Sequence, residues 1–263
     1  MVVPPVLIGL LAAVAIAVVA WRLGALTAGG AAAAVLLGTV AVGADWTWGV
    51  LLVAYFVVSS LLTRFRAAEK AGRTQDRLEK TGARDAQQVL ANGGVFFAAA
   101  LAYWISEADM WQALAIGSLA ASAADTWATE LGTLSKSEPR SILGFHPVPV
   151  GTSGGLTLLG LLGTVAGAGF VAGVAWALKW PTFAIVSAIA GGILGSLLDS
   201  LLGAGLQARR HCPKCDAMTE RAVHGCGTTT DVVGGIEWLD NDGVNFIATL
   251  CGALIGAAAA TFA

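Results

Sequence analysis

Asp125, Glu130, Asp199 and Asp242 stand at or near the ends of long apolar runs. An acid at the edge of a membrane helix is costly and demands a partner or a role. Carboxylates hold Mg²⁺, and Mg²⁺ bridges phosphate oxygens. Around the first two acids the chain reads Ala-Asp125-Thr-Trp-Ala-Thr-Glu130-Leu-Gly132-Thr-Leu-Ser135-Lys136-Ser-Glu-Pro-Arg140. It continues to Pro149-Val-Gly151-Thr152-Ser153-Gly154-Gly155, which opens another apolar run. Lysine supplies a point charge for phosphate, and backbone N–H groups at a helix start favour anions. Acids, cations and a Gly/Thr/Ser loop are the parts of a phosphate site, although Gly-x-x-x-x-Gly-Lys-Ser/Thr is absent. The bland alternative is close helix packing at the glycines and ordinary capping by the acids.

A second cluster is His211-Cys212-Pro-Lys-Cys215 followed by His224-Gly-Cys226. Thiolate and imidazole suit tetrahedral zinc. Cys212, Cys215, His224 and Cys226 make a four-ligand set, with His211 left over. Four protein ligands close a site, so the expected metal is structural. Free thiols are the alternative. Cys251 lies within an apolar run and is expected to be a packing residue.

The elements that must position these groups are membrane helices. The chain has 263 residues, 56% hydrophobic and 12% charged. A soluble domain carries roughly 25% charge. Net charge is -2, which argues against a nucleic-acid or general polyanion binder. Apolar runs long enough to span occur at 2–21, 23–44, 46–63, 89–105, 110–124, 148–178, 183–198 and 244–263. The run at 110–124 is short, and the run at 148–178 is expected to begin as a loop. Pro4-Pro5 reads as a helix start, not as part of a cleaved leader.

The spacing predicts an all-α polytopic protein of about eight transmembrane helices. Its parts are three helices in 1–63, a charged amphipathic segment at 64–88, and a core at 89–205 with a loop at 125–150. A Cys/His loop at 206–242 and a last helix at 243–263 complete it. Segment 64–88 is expected to be a mostly solvated surface helix. With the N-terminus outside, fourteen of the fifteen Lys and Arg residues fall inside and only Lys179 falls outside. The expected location is the cytoplasmic membrane, with the polar groups and the zinc loop facing the cytoplasm. Asp125-Thr126 and Asp199-Ser200 then end two runs of the same direction. Asn241, Asp242 and Asn245 begin the last run and share a face if helical. Trp21, Trp46, Trp48, Trp104, Trp111, Trp180 and Trp238 read as interfacial belts, while Trp127 is placed to line the site.

The stretches Arg84-Asp-Ala-Gln-Gln-Val-Leu-Ala-Asn92-Gly-Gly, Asp125 to Gly132 with Ser135-Lys136, and Gly151 to Gly155 carry a resemblance. So do Gly195-Ser-Leu-Leu-Asp199-Ser-Leu-Leu-Gly203-Ala-Gly-Leu-Gln207 and Trp238-Leu-Asp-Asn241-Asp242-Gly-Val-Asn245. Together they resemble the integral membrane proteins of domain-of-unknown-function family ninety-two, which includes phytyl-phosphate kinases of vitamin E synthesis. More distantly the chain is similar to the CTP-using phytol and dolichol kinases. The resemblance implies phosphoryl transfer from CTP or another nucleoside triphosphate to an isoprenyl monophosphate. It implies Mg²⁺ on Asp125, Glu130, Asp199 and Asp242, with Lys136 beside them. Phosphates would meet Arg84, Asn92, Ser135, Arg140, Gly151, Thr152, Ser153, Gly154, Gly155, Asn241 and Asn245. In the distant kinases a lysine sits close to the glycine loop; here His146-Pro-Val-Pro-Val precedes Gly151, and the nearest lysine is Lys136. Other readings are a kinase of the free alcohol, a lipid or small-molecule transporter, and a non-catalytic assembly protein.

Overall fold

The structure is a computed structural model that describes residues 5–74, 77–78 and 82–263. Asp76, Glu79 and Lys80 of the charged segment lie outside the described residues, as do residues 2–4 of the first expected span. Among the described residues the long helices are α1 (Pro5–Arg22), α2 (Ala28–Ala44), α3 (Trp46–Arg64), α5 (Ala86–Ser106), α6 (Met110–Gly132), α7 (Leu158–Ala177), α8 (Thr182–Gly205) and α9 (Asn241–Ala260). They fall on the eight apolar runs. Five of them, α3, α5, α7, α8 and α9, are long and apolar enough to cross a membrane. The protein is therefore a mostly helical membrane protein.

Connections at the two ends of the bundle differ sharply. At one end Asp45 alone joins α2 to α3. Its backbone N–H caps α2 through Ala41 O, and its carboxylate accepts from Thr47 N at 2.8 Å. Residues 107–109 and 178–181 make the other short turns there. The opposite end carries every long connection. These hold the short helix α4 (Ala67–Thr74), the two-stranded pair β1 (Arg140–Ser141) and β2 (Gly155–Leu156), and an antiparallel sheet ordered β4 (Ala217–Thr219), β3 (Arg209–Cys212), β5 (Asp231–Gly234).

α6 is the hub, packing against α3, α5, α7, α8 and α9. Every residue from Ala115 to Ala124 is buried. These are mostly Ala, Ser and Gly, so neighbouring backbones come close. A Cβ on Gly117 would stand 2.6 Å from Gly252 O of α9, and one on Gly167 would stand 2.7 Å from Ala123 O. Burial on all sides explains how a helix with modest apolarity sits at the centre.

The structure corrects several boundaries. Residues 125–132 are the last two turns of α6, not the start of a loop, so Asp125 and Glu130 project from a rigid helix. At 1.5 Å per residue α6 is about 34 Å long. α8 runs on to Gly205, seven residues past its expected end, so Asp199 is interior to a helix. α9 begins at Asn241, and its N-cap is Asp240, which accepts from Gly243 N at 2.9 Å. The cap of α9 is thus Asp240 and not Asn241 or Asp242. The segment at 64–88 is not one solvated helix: α4 has eight residues, and Lys70 and Thr74 on it are buried. Trp48 and Trp180 leave the expected belt. They pack with Phe96 and Tyr103 in a buried aromatic cluster, and Trp180 Nε1 donates to Thr47 Oγ1 at 3.1 Å.

Candidate functional site

At the end bearing the long connections, a polar cavity of about 330 Å³ opens among α3, α4, α5, α6 and α9. Its acids are Asp125, Glu130 and Glu220, and its cations are Arg64, Lys70 and Arg84; Asn92, Asn241 and Asn245 also line it. A smaller cavity of about 120 Å³ adjoins it and shares Asp125, Asn241 and Glu220. Gly151 to Gly155, Asp199 and Ser200 line this second space. Asp125 thus sits where the two compartments meet, and Asp199, carried by a different helix, lines the smaller one.

α6 and α8 bring the two carboxylates within hydrogen-bonding reach of one another. Two carboxyl groups in contact must share a proton or a cation. One oxygen of Asp199, Oδ2, is buried and has no hydrogen-bond partner among the described residues. An acid inside a membrane helix costs about 2.5–3.5 kcal/mol at the centre and less toward the end. Two acids with an orphaned oxygen are more than packing requires, and the pair suits a divalent cation. Asp242 is buried on the first turn of α9 and lines neither cavity, whereas Asn241 and Asn245 line the larger one.

Glu130 has a different partner. Its carboxylate is ion-paired with Lys70, whose Nζ also donates to Leu62 O and Thr63 O, both at 2.8 Å. Those contacts occupy all three donors of the ammonium and dock α4 against α3 and α6. Arg73 reinforces the docking by donating to Ser135 O.

Arg84 is anchored by its backbone. Its N–H donates to Ala25 O at 3.0 Å, and its carbonyl accepts from Thr27 N at 3.0 Å. Glycine is required at position 30, because a Cβ there would run into the Arg84 carbonyl. The guanidinium lies over the Phe56 ring, 5.8 Å from its centroid, and makes a 3.3 Å bond to Ser60 Oγ. Five donors in a fork leave ample capacity for an anion. Just inside, Asp85 and Gln88 close a capping box that starts α5. Asn92 is held in a chain: Tyr55 OH and Ser122 Oγ are 2.6 Å apart, Ser122 Oγ donates to Asn92 Oδ1 at 2.7 Å, and Asn92 Nδ2 donates to Gln88 O at 2.9 Å.

Other expected members lie apart. Lys136 is exposed, Arg140 is exposed and donates to Phe145 O, and Ser135 bonds to Ser137; none lines either cavity. The glycine loop does line a cavity, but it is not a helix start. β2 separates it from α7, whose N-cap is Thr157, accepting from Gly160 N at 3.0 Å. Gly151 and Gly154 have φ of 83° and 74°, so glycine is needed for the turn itself. Ser153 Oγ donates to Glu220. Trp127 turns from the site, stacking on Phe170 at 5.2 Å and bonding to Ser59.

Sequence reasoning missed Lys70, Arg64 and Glu220. Lys70 and Thr74 share a helical face at i,i+4, a faint signal among seven basic residues. Glu220 carried none.

The Cys/His loop is drawn together. One ligand atom each from Cys212, Cys215, His224 and Cys226 lies within 4.8 Å of the others. Cys212 and Cys226 sulfurs are 3.6 Å apart, and His224 Nδ1 is 3.3 Å from Cys226 Sγ. Hydrogen bonds from the Thr228 hydroxyl and His224 pull the Cys226 thiol down to about 5, while hydrogen bonding to Cys226 pushes Cys215 up to about 11. His211 is outside the group and bonds Asp216 at 2.9 Å. The β3–β5 sheet is tied to the cavity wall: Glu220 N donates to Arg77 O at 2.9 Å, and Arg221 Nε to Leu78 O at 2.8 Å.

A helical membrane protein that gathers acids, cations and amides at one end of its bundle, under a small Cys/His sheet, is the class these features define. The chain belongs to the family described as integral membrane protein DUF92, whose model matches residues 11–253. Protein PGR of Arabidopsis thaliana is 32% identical over 249 residues, covering 84% of each chain. An uncharacterized membrane protein of Methanocaldococcus jannaschii is 30% identical over 210 residues, covering 79% of this chain and 74% of its own. One from Synechocystis is 32% identical over 138 residues, about half of each chain. No solved structure matches.

Proposed function

We propose that this protein is a membrane-embedded kinase. It transfers the γ-phosphoryl group of CTP, or of another nucleoside triphosphate, to an isoprenyl monophosphate such as phytyl or geranylgeranyl phosphate. A terminal oxygen of the monophosphate attacks the γ-phosphorus, the bond to the β-phosphate oxygen breaks, and the nucleoside diphosphate leaves. The observation that carries the reading is the half-buried Asp125–Asp199 pair, with one buried oxygen of Asp199 lacking a partner, beside a cavity lined by Arg64, Lys70 and Arg84. Asp125 and Asp199 would hold Mg²⁺, which when bound neutralises phosphate charge. Arg84 and Arg64 receive phosphate oxygens, and Asn241 and Asn245 orient them. The acceptor is already an anion, so no strong base is needed, and catalysis is positioning plus charge neutralisation.

In this reading all eight long helices span the cytoplasmic membrane with the N-terminus outside, and nucleotide enters from the cytoplasm. A transporter would place its acids near the midplane, whereas Asp125, Glu130 and Glu220 gather at one end. The test is diphosphate formation by purified protein in detergent, supplied with phytyl, geranylgeranyl and farnesyl monophosphates, free phytol, and CTP or ATP with Mg²⁺. Diphosphate from a monophosphate supports the reading. Product from phytol alone would make it an alcohol kinase, and no product from any pair would sink it.

The Cys212, Cys215, His224 and Cys226 group would hold structural zinc, fixing the sheet that carries Glu220. Purified protein should contain one zinc per chain by elemental analysis, and Cys215→Ser should lose it. Zinc content unchanged in that variant would refute the assignment. Acidification should release the metal, because thiolates must take up protons as it leaves.

A further inference from the structure

A third cavity, of about 80 Å³, lies between α1, α2, α3 and α5, and its lining is almost wholly apolar. Along its α5 side stand Arg84, Gln88 and Asn92, and these same residues line the large polar cavity. The two spaces therefore adjoin across these residues, one almost wholly apolar and the other charged. Its walls include Ala17 on α1 and Ala34 on α2.

From this continuity we propose that the slot seats the head-proximal, methyl-branched units of the isoprenyl chain, with Arg84 holding the phosphate at its mouth. The inference rests on the kinase reading for the identity of the ligand. Along α5 the slot runs from Gln88 to Gly93, about 8 Å at 1.5 Å per residue. That length receives the beginning of a chain and leaves the remainder to the lipid. Lipid tails are as apolar as the slot wall, so entering it gains nothing from water exclusion. What it offers is shape. Selection therefore acts on the branching near the head and not on total length.

Two measurements test this. In the first, a phytyl-phosphate analogue with a diazirine near the phosphate is cross-linked without nucleotide, and the labelled peptides are mapped. Label on α1, α2 or α5 residues of the slot is expected, undiminished by excess straight-chain phosphatidate. Label on α7–α9, or label abolished by phosphatidate, overturns the slot. In the second, wild type and Ala34→Leu are compared on phytyl and straight-chain hexadecyl monophosphates. Wild type should favour phytyl by about 10-fold, the scale of a shape-based pocket. Ala34→Leu narrows the slot and should bring the ratio near one by lowering phytyl turnover more than hexadecyl turnover. A ratio unchanged in Ala34→Leu overturns the proposal. If no phosphoryl transfer occurs on any substrate but the slot is labelled, the slot stands and the kinase reading falls.

Discussion

Asp125→Asn should abolish phosphoryl transfer while leaving the protein as stable as before, or more so. Both halves follow from the pair it forms with Asp199. Asparagine keeps the size and a hydrogen bond, so the α6–α8 contact survives. It removes one of two like charges held against each other, which relieves repulsion. In the proposed kinase it would also remove a ligand from the cation that neutralises the phosphates. Losing one preorganised electrostatic contact in an active site costs about 10²–10³ in rate, and loss of a metal should reach the upper end. Asp199→Asn should behave alike, and the double variant should lose little more, because residues acting as a unit are not additive. The measurements are kcat/KM on phytyl phosphate and the melting temperature in detergent. A variant that melts lower yet stays active would make the pair structural. The expected opposite, stable and inactive, is the signature of a site maintained at the expense of stability.

The acid pair was half legible in the sequence, and the reason is instructive. Two Asp-hydroxyl pairs at the ends of two runs of the same direction announce convergence, because alternation through the membrane fixes which end each reaches. What periodicity does not reveal is that α6 and α8 continue past their apolar windows. Hydropathy marks the lipid-facing stretch, but hydrogen bonds carry the helix on through Gly132 and Gly205 into the protein's own polar mass. The expected loop at 125–150 was drawn too early for that reason. Lys136 illustrates the opposite error. It is near the acids in sequence, yet the chain turns after Gly132 and leaves it in solvent, while Lys70 arrives from a segment sixty residues away. Long-range pairing of that kind depends on how α4 folds back beneath α3, at Arg66 with φ of 52°, and no local pattern encodes it. The convergence of the Cys/His quartet was legible because a candidate metal-ligand set is recognised by residue types at short spacing. That its sheet would deliver Glu220 into the cavity was not, since the contact is made by one side chain on an otherwise ordinary strand end.

Lys70 and Glu130 invite a prediction that separates structure from chemistry. Glu130 was expected to hold Mg²⁺, but its carboxylate is committed to Lys70. Lys70→Met should lower stability by about 3 kcal/mol, the scale on which a buried charge left without its partner is penalised. α4 would come loose from α3 and α6, and activity would fall with it. The double variant Lys70→Met with Glu130→Gln removes both charges and should recover most of the lost stability, because a neutral pair carries no desolvation debt. If the ion pair serves only to dock α4, the double variant should regain activity to within about 10-fold of wild type. Glu130→Gln alone would then keep its Mg²⁺ requirement, in contrast to Asp125→Asn. Full inactivity of a double variant that melts like wild type would return Glu130 to the metal. Thermal melts and Mg²⁺ titrations of the three variants decide between these outcomes, because stability follows the pairing of the charges whereas metal dependence follows their ligation.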